Sequence, residues 1–170
     1  LLFPIPPQTA MGDESVFWSV LEDLVTAGDL GSPLHRIVRE DSRLAYSPSF
    51  ASSTSRDGGY WGLEAQSNCE DPQRVVDRFW EVLRSPELIS HDWFEFVTDT
   101  IRGEFDMQVP DPGEFTDEAA DRLSGYGHVW SDEEIKSRLL AVTRDSLADY
   151  IGSLSRDDSH TIVFQGKRAR

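Results

Sequence analysis

The chain has few of the residues that bind metals or form disulfides. Cys69 is the single cysteine among 170 residues, and there are four histidines. A single cysteine excludes an intramolecular disulfide and any metal site built from several cysteines. We expect Cys69 to be a small, half-buried packing residue. One cysteine does not identify the cellular compartment, because it is compatible with both a cytosolic and a periplasmic protein.

The histidines also lack a catalytic or metal-binding spacing. None lies in an H-E-x-x-H or H-x-x-E-H helix signature. His91 and Glu95 are one helical turn apart, but two ligands without a third make a weak metal site, and an exposed helix start is the simpler interpretation. The chain has no G-x-S-x-G motif and no G-x-x-x-x-G-K-[ST] phosphate loop. Composition and spacing therefore predict no self-contained active site and no cofactor in this chain.

Positive charge is scarce. The chain has 16 Lys and Arg residues against 31 Asp and Glu residues, a formal net charge of −15. The acids concentrate between residues 85 and 134, where Arg102 and Arg122 are the only basic residues. Nucleic acids and anionic membranes require basic surfaces, so neither is a predicted partner. The apolar runs are too short to insert into a bilayer. The acid excess is explained by solubility or by a field that attracts cationic peptides.

The first part of the chain predicts a strand followed by two helices. Residues 1–6 read as a short strand. Gly28 is placed to end the first helix, and Ser32 is a good N-cap for the second, with Pro33 at its first position. The first helix has its apolar residues at helical spacing: Phe17, Val20, Leu21 and Leu24.

A hairpin follows these helices. Residues 44–54 and 59–67 predict two strands joined at Asp57-Gly58, a strong turn signal. Because Pro48 cannot donate a ladder hydrogen bond, the first strand should lie at an edge or carry a bulge. In the second strand, apolar and polar residues alternate between the two faces. This alternation predicts a sheet covered by helices on one face.

The rest of the chain predicts a run of helices and a closing strand. The fold class is therefore α+β: a two-layer α/β sandwich whose mostly antiparallel sheet is covered on one face by helices, with residues 1–170 as a single domain. The signals are a helix start at Asp71-Pro72, a helix with Trp93 and Ile101 inside, a helix from about Phe115 to Tyr126, a capping box of Ser131 and Glu134, an N-cap at Thr143, and the strand HTIVFQ.

The segment from Leu21 to Asn68 resembles the second-domain signature of the pitrilysin/insulinase-type zinc metallopeptidases, a family that includes mitochondrial processing peptidase. The closing TIVFQGK resembles the family's last strand and glycine. Domains of this kind carry a helix, a Gly-Ser break, SPLxxxxRE, then LAYS and a hairpin. The matching residues are Gly31, Ser32, Leu34, Arg39, Glu40, Leu44, Ala45, Tyr46 and Ser47.

The resemblance implies a processing-peptidase-like fold and a supporting role in proteolysis. In that family two homologous domains close face to face; the first holds zinc through H-x-x-E-H, and the second is inactive but lends an arginine and a tyrosine. By resemblance, this chain is a C-terminal, non-catalytic domain cut from a longer protein. Arg39 would hold peptide carbonyls and Tyr46 would stabilise the oxyanion, while zinc would lie in a catalytic partner domain, in cis or in trans.

Several alternatives remain from the sequence. Arg39 could simply pair with Glu40 or Asp41 on the surface, and Tyr46 could be an ordinary sheet aromatic. Pro48 removes a backbone donor near the expected cleft and could impair peptide addition at that edge. The whole chain could instead be a catalytically dead scaffold of the same fold, or an independent module that binds cationic peptides.

Overall fold

The computed structural model describes residues 1–5, 13–28, 31–55, 57–107, 123, 129–154 and 160–165. In chain order its elements are β1 (Leu2–Ile5), α1 (Asp13–Thr26), α2 (Pro33–His35) continuing as a π-helical segment (Arg36–Asp41), β2 (Ser49–Ser55), β3 (Gly58–Glu64), α3 (Gln73–Arg84), α4 (His91–Met107), α5 (Asp132–Ala141) and α6 (Arg144–Leu154).

The strands form one antiparallel sheet in the order β1-β3-β2. Along β3 the side chains of Trp61 and Leu63 are buried, whereas Tyr60 and Glu64 are exposed. One face of the sheet therefore packs on the helices and the other is open. This arrangement confirms the predicted α+β fold with helices on one face of an antiparallel sheet.

An aromatic stack ties the three strands together on the covered face. The ring of Trp61 in β3 lies 4.5 Å from the ring of Phe3 in β1 and 5.5 Å from the ring of Phe50 in β2, stacked in both cases. Trp80 from α3 meets Phe3 edge-on at 5.6 Å. Stacked and edge-on aromatic pairs stabilise more than their buried area alone, so this cluster fixes α3 on the sheet.

The predicted helix caps are confirmed where the structure describes them. The Ser32 hydroxyl accepts the His35 N–H at 3.2 Å, with Pro33 at the first helical position. Ser131 and Glu134 form the reciprocal capping box of α5. The Thr143 hydroxyl accepts a backbone N–H in the first turn of α6. Local chemistry thus sets the starts of these helices.

Two predicted strands are shorter in the structure than the sequence suggested. The expected closing strand HTIVFQ reduces to an isolated bridge between Thr161 and Leu2. The first hairpin strand begins at Ser49, not at residue 44, because the proline at position 48 has no N–H to donate to the ladder. The helix expected from Phe115 to Tyr126 lies outside the described residues, apart from position 123.

Gly62 in β3 is expected to tolerate no side chain. A Cβ at this position would lie 2.1 Å from the carbonyl oxygen of Leu1 and 2.9 Å from the Cα of Leu2. Since both contacts are to backbone, Gly62→Ala should lower the free energy of unfolding by about 1–3 kcal/mol. Gly103→Ala on α4 is the control, because a Cβ there meets nothing within 4 Å. Urea unfolding with equal midpoints for the two variants would contradict this prediction.

Candidate functional site

Arg39 lies in a π-helical segment, which the sequence pattern did not predict. The helix that starts at Pro33 changes to π geometry over Arg36–Asp41. Ile37 and Val38 are buried, whereas Arg39 projects into solvent. The guanidinium of Arg36 pairs with Glu87 and lies 3.5 Å from the Asp41 carboxylate. Short π segments occur frequently at functional sites.

The π segment ends in a backbone conformation that is uncommon for a side chain other than glycine. Arg43 has φ = +53°, and its N–H donates to the Arg39 carbonyl at 3.0 Å. The Ser42 hydroxyl donates to the Val38 carbonyl at 2.6 Å. A left-handed residue after the last helical turn is a common way to stop a helix, although glycine usually fills it. The connection from Arg39 to Tyr46 therefore leaves the helix through a defined turn.

Among the residues that the structure describes, the Arg39 side chain forms a weak ion pair with Glu40. Its Nε lies 3.4 Å from the Glu40 Oε1, and both side chains are more than two-fifths exposed. The simple surface pairing considered from the sequence is thus present. Exposed pairs of this kind contribute about 0–1 kcal/mol, so a better acceptor can displace Glu40. The guanidinium remains accessible to a ligand.

Tyr46 lies just before the hairpin strand β2. Its pairing with the segment after β3 is shifted by one residue relative to the ladder. Ser49 faces Glu64 in the ladder, so an unbroken ladder would place Tyr46 opposite Ser67. Instead the Tyr46 N–H donates to the Gln66 carbonyl at 2.9 Å. One extra residue is therefore accommodated between Tyr46 and Ser49, before the first pair of the ladder, and we call this offset the bulge. Of the two expectations at Pro48, the edge strand is confirmed, since β2 lies at the sheet edge.

Two residues near Tyr46 are buried, whereas Tyr46 itself is exposed. Ala45 and Pro48 are buried, but Tyr46 is 65% exposed. The predicted strand over residues 44–54 included Tyr46, which was wrong, because β2 starts three residues later. A bulge often re-aims a side chain at a sheet edge. Here it turns the phenol toward solvent, so sheet packing does not account for Tyr46.

The two predicted site residues thus flank one short connection, and neither is buried in the core. What the sequence missed is the framework: the π geometry, the positive φ of Arg43, and a hydrogen bond from the Ser67 hydroxyl to the Leu44 carbonyl. No sequence signal marked the π segment, whereas Pro48 did signal the edge strand.

A second group of ionisable residues lies between α1 and α4. Burial, together with the nearby carboxylates of Glu104 and Glu22, raises the pKa of Asp23 to about 7. Burial also raises the pKa of Glu22. Carboxyl groups that resist ionisation in this way make the α1–α4 contact sensitive to pH.

The described residues contain no group of three or more His, Cys, Asp or Glu side chains that could hold a metal ion. His91 Nε2 lies 3.6 Å from Glu95 Oε1, and both side chains are exposed. The residues that the structure describes therefore do not fit a zinc site.

In the same part of the chain, the helices are too short or too polar to span a bilayer. Cys69 is half-buried, with its thiol 3.1 Å from the Asp71 carbonyl.

Comparisons with known proteins identify a family from the sequence and a shared fold from the structure. The family model for the peptidase M16 inactive domain matches residues 1–85. A search of curated proteins found no match. Solved structures under 25% identical to this chain match it in fold.

Three of these structures represent the fold. A chain of complex III2 from Candida albicans, bound to Inz-5, is 15% identical with a TM-score of 0.67, and the match covers 89% of this chain and 39% of that chain. A conserved protein from Enterococcus faecalis V583 is 18% identical with a TM-score of 0.63, covering 89% and 36%. A "putative zinc protease" from Bordetella pertussis Tohama I is 13% identical with a TM-score of 0.64, covering 89% and 83%. The chain therefore spans well under half of the first two.

Proposed function

Since this chain belongs to the family of peptidase M16 inactive domains, we propose that it closes over a zinc-bearing catalytic domain and helps that domain bind and cleave peptides. In this proposal residues 1–170 form one domain of a longer protein or assembly. The partner domain is supplied in cis or in trans. Two of the matched solved chains are more than twice as long as the region they share with this one, which leaves room for such a partner.

The observation that carries the proposal is the exposure of Tyr46 on a fixed backbone. Tyrosine usually packs part of its ring against the protein, yet Tyr46 is 65% exposed while its neighbour Ala45 is 4% exposed. Its N–H is held at 2.9 Å by Gln66. A side chain presented in this way is preorganised for a ligand rather than for the core.

Tyr46 would act as a hydrogen-bond donor in the reaction. Its phenol O–H would reach the carbonyl oxygen of the scissile peptide bond, where negative charge develops as the tetrahedral intermediate forms. A fixed donor at that position stabilises the transition state by about 2.7–4 kcal/mol in comparable sites. Because the bulge fixes the backbone beforehand, little reorganisation would be needed when the substrate arrives.

Arg39 would bind the substrate. Its guanidinium carries five donors in a planar fork, which suits backbone carbonyls of an extended peptide. The present partner, Glu40, is an exposed neighbour at 3.4 Å and is easily displaced. The π segment orients Arg39 away from the buried Ile37 and Val38 and toward the solvent side.

Zinc would belong to the partner domain. The described residues of this chain offer no cluster that could hold it. This chain would contribute substrate contacts and a donor, and its own residues would bind no metal. The predicted peptidase activity therefore depends on two domains together.

Reconstitution tests this division of labour. The purified chain is expected to hold no stoichiometric zinc and to cleave no peptide, whereas joining it to a catalytic domain with H-x-x-E-H should give zinc-dependent hydrolysis of a fluorogenic peptide. Zinc content by atomic absorption and turnover are the measurements. Stoichiometric, tightly held zinc in the chain alone would contradict the non-catalytic assignment.

A scaffold role is the second candidate. It is favoured by the fold match to a chain of complex III2, since that chain is part of a complex. In that case the chain would hold a partner in place without contacting a peptide. Reconstitution distinguishes the two functions, because a scaffold would form the complex with the catalytic domain without any dependence of turnover on Arg39 or Tyr46.

A further inference from the structure

We propose that Ser67 is the positioning residue that sets the orientation of Tyr46. This inference rests on the proposed function of Tyr46, but its structural part can be tested separately. Ser67 lies beyond the end of β3, at the position that an unbroken ladder would pair with Tyr46. Because of the one-residue offset, the Tyr46 N–H bonds to Gln66, while the Ser67 hydroxyl contacts the backbone before Tyr46.

The Ser67 hydroxyl links the two sides of the site. It donates to the carbonyl oxygen of Leu44, two residues before Tyr46, and it accepts the N–H of Cys69 at 2.9 Å. The main-chain bond from the Tyr46 N–H to the Gln66 carbonyl lies directly beside it. The backbone that carries Tyr46 is thus attached to the 66–69 segment at two points.

Without the hydroxyl, one attachment remains. The Leu44 carbonyl and the Cys69 N–H both lie near the surface, so water can replace Ser67 at each of them. The fold should therefore survive the loss of the hydroxyl. What changes is the freedom of the 44–46 segment, which has no ladder pairing to Ser67 because of the bulge.

Hydrogen exchange tests the structural part on the full chain. Ser67→Ala should speed exchange of the Tyr46 N–H by roughly tenfold, with only a small change in the unfolding midpoint. Ser67→Thr keeps a hydroxyl and should restore slow exchange. Ser55→Ala is the matched control, because Ser55 also donates to a main-chain carbonyl, that of Gly58 at 2.7 Å, but at the far end of the hairpin.

A double-mutant cycle tests the functional part in the reconstituted two-domain protein. With a fluorogenic peptide, Ser67→Ala should lower kcat several-fold with KM little changed, and the loss should disappear in a Tyr46→Phe background. A purely structural role for Ser67 would lower kcat equally in both backgrounds.

The two possible failures are distinguishable. If Tyr46→Phe leaves turnover unchanged, the proposed function of Tyr46 fails, whatever Ser67 does. If Tyr46→Phe slows turnover but Ser67→Ala leaves both exchange and kcat at wild-type values, or acts no differently from Ser67→Thr, the role assigned to Ser67 is overturned.

Discussion

Tyr46→Phe is expected to slow peptide hydrolysis by about 100-fold in the reconstituted two-domain protein, with KM nearly unchanged. The substitution removes one hydroxyl and keeps the ring. Because the hydroxyl would meet the carbonyl oxygen most strongly when that oxygen carries charge, its loss should affect the transition state more than the bound substrate. Steady-state kinetics with a fluorogenic peptide gives both constants.

Tyr60→Phe provides the matched control for that experiment. Tyr60 is also an exposed tyrosine, at 41%, but it lies within β3 on the open face of the sheet. Its loss of a hydroxyl should change kcat by less than about twofold. Equal effects of the two substitutions, or a change in KM alone for Tyr46→Phe, would remove Tyr46 from the chemical step.

Asp23→Asn is expected to stabilise the fold at pH 8 and to leave it nearly unchanged at pH 4. The pKa of Asp23 in the folded protein is about 7, against 3.8 for an ordinary aspartate, chiefly because the side chain is buried. The folded state thus binds this proton more tightly than the unfolded chain does. The stabilising contribution is complete below about pH 4 and is lost as the pH rises through 7.

The size of this effect follows from the difference in pKa. It amounts to an upper bound on the order of 4 kcal/mol between pH 4 and pH 8. Because other groups titrate in the same range, the quantity to compare is the difference between wild type and Asp23→Asn at each pH, from urea unfolding. Asp149→Asn, on the exposed side of α6, is the control. A constant difference across the pH range would show that Asp23 is ionised normally.

Glu22, Asp23 and Glu104 show that net charge alone does not predict the environment of an individual acid. The sequence predicted an acidic surface, and many acids are indeed exposed along α4. The contact between α1 and α4 nevertheless brings Glu22 and Asp23 near Glu104, where burial and like charge act in the same direction. Only packing creates that environment, because the two helices are far apart in sequence.

Much of the local structure could be read from the sequence. The Ser32 cap, the Ser131–Glu134 capping box and the alternation along β3 each depend on residues a few positions apart, and all three are confirmed. The proline at position 48 correctly signalled an edge strand. The family resemblance, carried by short motifs, is likewise confirmed.

Long-range pairing explains the predictions that were wrong. The closing strand reduced to one bridge because a strand exists only where a partner backbone meets it, and Leu2 supplies that partner at one point. β2 starts after Pro48, which has no N–H to donate to the ladder, and the chain before it is offset by one residue relative to β3. Neither pairing is encoded within either segment alone.

By itself, the sequence determined the helix caps, the hairpin between β2 and β3, and the covered and open faces of the sheet. These features follow from backbone preferences and from hydrogen bonds between near neighbours. Arg39 and Tyr46 became candidates through the family resemblance. Tertiary structure alone decided the π geometry under Arg39, the one-residue offset that exposes Tyr46, and the raised pKa of Asp23. Each of these depends on contacts between segments that are distant in sequence, where burial and register are set by the whole fold.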